Sequence, residues 1–181
     1  PAPPAPPMAP PSPPQPPLFP ISSLIDFEDE RMTNLWINGA DSAQSWVRGK
    51  STPTINTGPA AGSGGGGHFL YTEASFVESG TEYRITYAGE LCAGRLVDYV
   101  AFKYHMYGAY TGALAVVSSG GDVLWLKRGE QQTSESSPWY QASEVKVSSP
   151  TFSFVATRGD SFTSDIAIDD IFVTCSVYSP P

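Results

Sequence analysis

Two acidic groups are the residues in this sequence best suited to form a chemical site. Asp26 and Glu28 lie two positions apart, so on a β-strand both carboxylates point to the same side. Asp169 and Asp170 lie in a late and otherwise apolar segment, where a carboxylate costs free energy unless it is paired. Because first and last strands are commonly neighbours in β-sandwiches, we expect these carboxylates to gather, with a single nearby base, Arg31.

Carboxylates gathered in this way need a proton, an arginine or a hard cation between them, and a set of oxygen ligands suits Ca²⁺. The sequence therefore predicts a structural Ca²⁺ held first by Glu28 and Asp170, with Asp26, Asp169 and Asp41 as further ligands. The alternative is that one carboxylate accepts backbone N–H bonds in a loop while the others face water.

The sequence shows no catalytic arrangement. It has two histidines, His68 and His105, which leaves little room for a Ser-His-Asp triad, and it has no zinc-ligand spacing. We therefore expect no enzymatic activity. Hydrolysis of a polysaccharide ranks last among the hypotheses and is kept because a glycosidase needs only two carboxylates.

Overall composition limits the classes of partner. The 181 residues carry a formal net charge of −8, from 18 Asp+Glu and 10 Lys+Arg. This balance argues against a nucleic-acid partner, because phosphate binding needs clustered Lys and Arg. No apolar run approaches the ~20 residues that span a bilayer, so we expect no insertion into a membrane.

Residues 1–20 differ in composition from the rest of the chain. Of the 18 prolines, 12 lie in this segment, which predicts a polyproline II linker that builds no core. Pro180 and Pro181 indicate that a second such linker starts at residues 179–181. A ligand for an SH3- or WW-type groove is the alternative. The Ser-Pro-Pro and Ala-Pro-Pro repeats also resemble hydroxyproline-rich glycoproteins of green algae and plants, which implies an extracellular location.

Residues 21–178 show the period-two hydrophobic alternation of β-strands and no convincing amphipathic helix. Gly- and Pro-containing turns separate the strand candidates. The predicted strands are residues 22–28, 35–38, 68–74, 82–87, 98–108, 113–118, 123–127, 143–147, 151–159 and 166–175. This pattern predicts an all-β fold, an antiparallel two-sheet β-sandwich of jelly-roll type.

A series of landmarks in order along residues 24–175 resembles the MAM domain, a module of meprins, neuropilins and receptor-type tyrosine phosphatases. The landmarks are Asp26-Phe27-Glu28, Trp46, Thr57-Gly58-Pro59, the strand at 99–108 with Tyr104-His105-Met106-Tyr107-Gly108, Gly112 to Val116, Leu124-Trp125, Gly129-Glu130-Gln131, Trp139, Phe152 to Ala156, and Asp165 to Ile171. The resemblance implies an extracellular, non-catalytic jelly roll that mediates adhesion or assembly at the cell surface or in the matrix. Its partners would be other extracellular proteins or the module itself. The alternative function is a Ca²⁺-dependent carbohydrate-binding module, and some MAM domains hold a structural cation near the acidic elements.

The cysteines depart from the family pattern. Members usually carry a pair flanking the Asp-Phe-Glu element, where this chain has Ile25 and no cysteine. Cys175 matches the family's fourth cysteine, whereas Cys92 lies upstream of the usual third position near Tyr99. Two cysteines in a secreted module suggest one disulfide, Cys92–Cys175. The alternative is two free buried thiols.

Aromatic side chains are the candidates for contacts with a partner. Trp46, Trp125 and Trp139 match family landmarks, and we expect them to pack rather than to bind sugars. Trp36 has no clear counterpart, so it is the predicted partner-facing residue. Arg158-Gly159-Asp160 reads as an integrin-type tripeptide, but Gly and Asp are expected in a turn between strands in any case.

Overall fold

A computed structural model describes residues 21–39 and 44–177, so the predicted linkers and the predicted ligand Asp41 lie outside the described residues. The described part is built from β-strands joined by loops and two short 3-10 helices. The strands are β1 (Ser22–Ile25), β2 (Trp36–Asn38), β3 (Val47–Gly49), β4 (Phe69–Thr72), β5 (Glu82–Tyr87), β6 (Val97–His105), β7 (Ala113–Ser118), β8 (Val123–Arg128), β9 (Tyr140–Ser149), β10 (Phe152–Thr157) and β11 (Ile166–Cys175), and the 3-10 helices are Glu30–Leu35 and Glu90–Cys92.

The strands form two antiparallel sheets. The first has the order β3-β4-β11-β6-β9, and the second has the order β2-β5-β10-β7-β8. In the first sheet β11 shares one edge between two partners, with Ile166–Ile168 beside β4 and Ile171–Thr174 beside β1. The predicted two-sheet, jelly-roll β-sandwich is confirmed.

The core lies between the two sheets and follows the alternation in the sequence. Val100, Phe102 and Tyr104 point inward from β6, and Phe152 and Phe154 point inward from β10. The ring centroids of Phe102 and Phe154 are 4.8 Å apart in an edge-to-face contact that joins the sheets. The intervening side chains of β6 face the outer surface of the first sheet.

Trp36 is a core residue, so the prediction that it faces a partner is corrected. Its side chain is 8% exposed and makes edge-to-face contacts with Tyr87 and Phe152. The reason is its position at the start of β2, beside Tyr87 of β5, where the register turns it into the sandwich. Its neighbour Ile37 is the exposed residue of this strand.

The predicted disulfide is present. Cys92 and Cys175 are bonded, with their Cα atoms 5.4 Å apart. The bond ties the 3-10 helix Glu90–Cys92 to the end of β11. None of the helices in the described ranges has the length and apolar character needed to cross a bilayer.

Candidate functional site

A bulge in β11 positions the two adjacent aspartates. Asp169 lies opposite Lys103 of β6, and the register then shifts so that Phe172 lies opposite Ala101. Asp170 takes up the extra residue with a φ of 44°, in the left-handed region. The bulge falls between the part of β11 that pairs with β4 and the part that pairs with β1.

The aspartates are compensated by protein groups. Asp169 accepts hydrogen bonds from the backbone N–H of Ser63 at 2.9 Å and of Asp170 at 2.8 Å. Asp170 lies 2.9 Å from the Lys103 ammonium and accepts a hydrogen bond from the Ser63 hydroxyl at 2.5 Å. Burial raises the pKa of Asp169 to about 6, although the bonds from Ser63 and Asp170 oppose this shift.

Glu28 meets the other end of the same loop, residues 62–67. Its Oε1 accepts a hydrogen bond from the backbone N–H of His68 at 2.8 Å, and this bond lowers the pKa of Glu28. A Cβ atom at Gly67, where φ is +82°, would lie 1.9 Å from the same oxygen. Asp26 accepts a hydrogen bond from the Glu28 N–H at 3.1 Å and is not joined to the aspartates of β11.

The structure therefore brings together Asp169 and Asp170 around Ser63 and Lys103, with Glu28 farther along the same loop. In residues 21–39 and 44–177, no group of three Asp, Glu, His or Cys side chains is arranged to hold a metal ion. The arrangement fits a cation at Asp170 poorly, because the Lys103 ammonium already places a positive charge there. Ca²⁺ at Glu28 and Asp170 stays a prediction.

A groove of about 420 Å³ opens beside this cluster, between residues 60–65 and 135–139. Ser63, Lys103 and Trp139 are among the residues that line it. The Trp139 indole N–H donates to the Ala61 carbonyl at 3.1 Å, which fixes the ring against the loop. The ring also packs against Phe69 and His105, in agreement with the predicted packing role of Trp139. Trp139 is partly exposed and also lines the groove.

Sequence reasoning missed Lys103 and Ser63. Lys103 follows the core residue Phe102, so the alternation alone placed it on the outer face of β6. Its pairing with Asp170 depends on the register of β6 against β11 and on the bulge, which are tertiary features. Ser63 is held by a loop whose conformation no strand pattern predicts.

A second feature is the end of the sandwich formed by three loops, residues 73–81, 106–112 and 158–165, which we call the aromatic end. Phe76 is fully exposed, and Tyr110 and Phe162 are each 53% exposed. Backbone hydrogen bonds join the loops, from Gly80 to the Arg158 carbonyl at 3.0 Å and from Tyr110 to the Thr163 carbonyl at 3.3 Å. The three loops thus form one connected surface.

Arg158-Gly159-Asp160 holds this surface together. The Arg158 guanidinium donates to the Ala74 carbonyl at 3.0 Å and to the Gly159 carbonyl at 3.0 Å. The Asp160 carboxylate accepts a hydrogen bond from the Ser79 hydroxyl at 2.9 Å. Both charged side chains of the tripeptide therefore have partners within the aromatic end, as expected for a structural turn.

Comparison with known proteins agrees with this fold. The family model described as MAM domain, meprin/A5/mu, matches residues 25–176. The chain belongs to the MAM domain family. MAM domains are generally extracellular adhesion modules, and their homologues are non-catalytic.

The similar curated proteins are longer than this MAM domain. It is 38% identical over 143 residues to mouse MAM domain-containing protein 2. The matched region covers 70% of this chain and 19% of that protein. It is 32% identical over 106 residues to zebrafish Neuropilin-1a, and this match covers 53% of the chain and 11% of that protein. The chain thus spans about a fifth or less of the curated relatives it matches.

Solved structures show the same fold at low sequence identity. The K1 cleaved adhesin domain of Lys-gingipain from Porphyromonas gingivalis W83 is 12% identical, with a TM-score of 0.56 over 87% of this chain and 99% of that one. The K2 cleaved adhesin domain of Lys-gingipain is 14% identical, with a TM-score of 0.55 over 84% of this chain and 99% of that one. This similarity concerns the architecture alone.

Proposed function

We propose that this MAM domain is a non-catalytic, extracellular interaction module that mediates protein–protein adhesion or assembly within a larger Pro-rich glycoprotein of the cell surface or matrix. Its partners are other extracellular proteins or a second copy of itself. Membership of the MAM family supports this proposal, and so does the Cys92–Cys175 disulfide, because such bonds persist in oxidising compartments.

The observation that carries the proposal is the exposure of Phe76. A fully exposed aromatic ring gains nothing from the folded core, and the backbone that presents it has a φ of 60°. A bulky residue in the left-handed region is disfavoured by about 1 kcal/mol or more. A protein surface that keeps such a residue, with Tyr110 and Phe162 on joined loops, has the aromatic character typical of interface cores.

The test compares the double variant Phe76→Ser, Phe162→Ser with the unaltered module and with Val123→Ser. Val123 is 59% exposed at the start of β8, at the opposite end of the sandwich, and so controls for loss of an exposed apolar side chain. Sedimentation velocity reports self-association, and capture from an extracellular fraction with mass spectrometry reports other partners.

We expect the double variant to weaken association at least tenfold, while Val123→Ser leaves it unchanged. Loss of two aromatic anchors from an interface core commonly costs more than 1 kcal/mol each. Equal association of all three proteins would contradict the use of the aromatic end. A module that stays monomeric and captures no partner would contradict the function itself.

Carbohydrate binding is the second candidate, and the groove beside Trp139 favours it. An aromatic wall with a few polar groups, here Lys103 and Ser63, is the usual composition of a small-ligand site. A glycan array, repeated with EDTA, tests it. Binding that a Ser63→Ala variant weakens would support the groove, and an array without hits would contradict it.

A further inference from the structure

A fourth exposed apolar side chain lies beside the aromatic end. Ile55, in the loop of residues 52–58, is 75% exposed. The neighbouring Thr54 hydroxyl makes a hydrogen bond with the Ser75 hydroxyl at 3.0 Å, and Ser75 directly precedes Phe76. Exposed apolar side chains that lie together on joined loops mark a site of interaction, whereas single scattered ones do not. Ile55 therefore extends the apolar surface of the aromatic end.

Acidic side chains border this apolar surface. Glu78 and Asp160 are exposed on two of the loops of the aromatic end. Glu82 is exposed at the start of β5, directly after the loop that carries Glu78. Glu130 is exposed, and its Oε1 accepts a hydrogen bond from the Gly108 N–H at 3.1 Å, so it borders the remaining loop. We call these four carboxylates the acidic rim, and it reaches all three loops.

Positive charge is scarce at the same surface. The three loops of the aromatic end and residues 52–58, all of them within the described ranges, carry no fully exposed Lys or Arg. Arg158 is partly exposed, and its guanidinium donates to main-chain carbonyls. Arg128 is exposed at the end of β8, opposite Ala113, and borders one loop. Four carboxylates outweigh this arginine, so the edge of the apolar surface is negatively charged.

The charges select between the two classes of partner in the proposed function. Two copies that met through their aromatic ends would bring two acidic rims together, and like charges that face each other across an interface disfavour binding. A protein with Lys and Arg around an apolar centre would instead match this surface both in charge and in hydrophobicity. Charge complementarity therefore favours a basic partner over a second copy of the chain.

We infer that the aromatic end binds a protein whose contact surface has an apolar centre surrounded by Lys and Arg. The inference rests on the proposed function, because it names the class of partner for the surface proposed there. Ile55 and Phe76 belong to the apolar contact, and Glu78 and Glu82 form ion pairs with the basic residues around it. Charges at the edge of an interface mainly raise the rate of association, and salt screens them.

A copy of the full chain with the substitutions Glu78→Lys and Glu82→Lys serves as the probe, because it combines the same apolar surface with a basic edge. The matched control carries Glu90→Lys and Glu144→Lys, which change the net charge equally at exposed glutamates outside the aromatic end. Biolayer interferometry measures how tightly the unaltered chain, the probe and the control each bind to immobilised unaltered chain, in 50 and in 500 mM NaCl.

We expect the probe to bind the unaltered chain at least about tenfold more tightly than the control does in 50 mM NaCl, and 500 mM NaCl should remove most of this difference. A partner captured from an extracellular fraction should show the reverse order, with weaker binding to the probe than to the control. Equal binding of probe and control would overturn the inference. Tighter binding of the unaltered chain to itself than to the probe would overturn it in favour of a second copy.

Failure of this inference and failure of the proposed function are distinguishable. If the aromatic end binds a partner of another chemistry, Phe76→Ser weakens association with that partner whereas the charge reversal at Glu78 and Glu82 leaves it unchanged. If the aromatic end is not an interface, neither change affects association.

Discussion

At the residue scale, single atoms decide which side chain the structure allows. Gly67 shows this, because its φ of +82° and its closeness to Glu28 Oε1 both exclude a side chain. Gly64, in the same glycine run, has no heavy atom within 4 Å of an added Cβ. The sequence shows a glycine run and does not say which of its members are required.

We expect Gly67→Ala to lower the free energy of unfolding by about 2 kcal/mol, since it combines a left-handed backbone with a clash against Glu28. Gly64→Ala should change it by less than about 0.5 kcal/mol. Urea denaturation of both variants provides the comparison. A Gly67→Ala variant as stable as Gly64→Ala would show that Glu28 does not contact the loop as described.

His105 makes stability depend on pH. Its ring is fully buried, and burial lowers its pKa from 6.5 to about 4, although a hydrogen bond with the Ser137 backbone opposes this shift. As the pH falls below 6.5, the unfolded chain takes up a proton at this residue while the folded chain does not. The contribution of His105 to stability is therefore full above pH 6.5 and decreases as the pH falls towards 4.

The prediction is that the unaltered module loses about 1–2 kcal/mol more than His105→Phe between pH 7.5 and pH 5. Comparison with His105→Phe is needed because Asp165 and Asp169 have raised pKa values and act in the opposite direction. Urea denaturation at the two pH values measures the difference. Equal pH dependence of the two proteins would show that His105 can be protonated in the folded state.

At the element scale, the bulge in β11 determines where the charges meet. The strand pattern correctly predicted residues 166–175 as a strand and placed both aspartates on it. It did not predict the bulge, although the sequence carries a signal for one. The buried core positions change phase along the strand, from Ile166 and Ile168 to Ile171, Val173 and Cys175.

The first strand is shorter than the sequence predicts. Residues 22–28 were predicted as one strand, but β1 ends at Ile25. Phe27 has a φ of 60°, and the chain then enters the 3-10 helix Glu30–Leu35, where Asp29 caps the backbone N–H of Arg31. Asp26 and Glu28 therefore lie on a turn and do not share one face of a strand, which local alternation could not reveal.

We expect Lys103→Met to lower the free energy of unfolding by about 1 kcal/mol, because it leaves the Asp170 carboxylate without its counter-charge. The effect should be smaller in the Asp170→Asn background, and a double-mutant cycle measures the coupling. Both side chains are partly exposed, so solvent screening keeps the value modest. A coupling energy of zero would show that the ion pair adds nothing to the bulge.

At the scale of the whole molecule, the disulfide joins positions 83 residues apart and ties the final strand to the middle of the chain. The sequence predicted this bond because the chain has two cysteines and reads as a secreted module, although Cys92 departs from the family pattern. The Cys92→Ala, Cys175→Ala variant should lose about 2–5 kcal/mol of unfolding free energy. The urea midpoint of this variant should be insensitive to dithiothreitol, unlike that of the unaltered chain. Equal midpoints of the variant and of the unaltered chain without dithiothreitol would contradict a stabilising bond.

The sequence predicts the two sheets and the family, whereas only the structure reveals the aromatic end and the position of Trp36. Period-two alternation and ordered landmarks predicted the two sheets and the family, because they depend on local patterns. The aromatic end depends on loops from three parts of the chain, and Phe76 carries no motif. Trp36 was predicted to face a partner for lack of a family counterpart, and it lies in the core.

Hydrogen–deuterium exchange of this MAM domain, alone and bound to its captured partner or at self-associating concentration, tests the central claim most directly. We expect slower exchange on binding in residues 73–81, 106–112 and 158–165, with residues 119–122 at the opposite end unchanged. Protection confined to residues 60–65 and 135–139, beside Trp139, would contradict it.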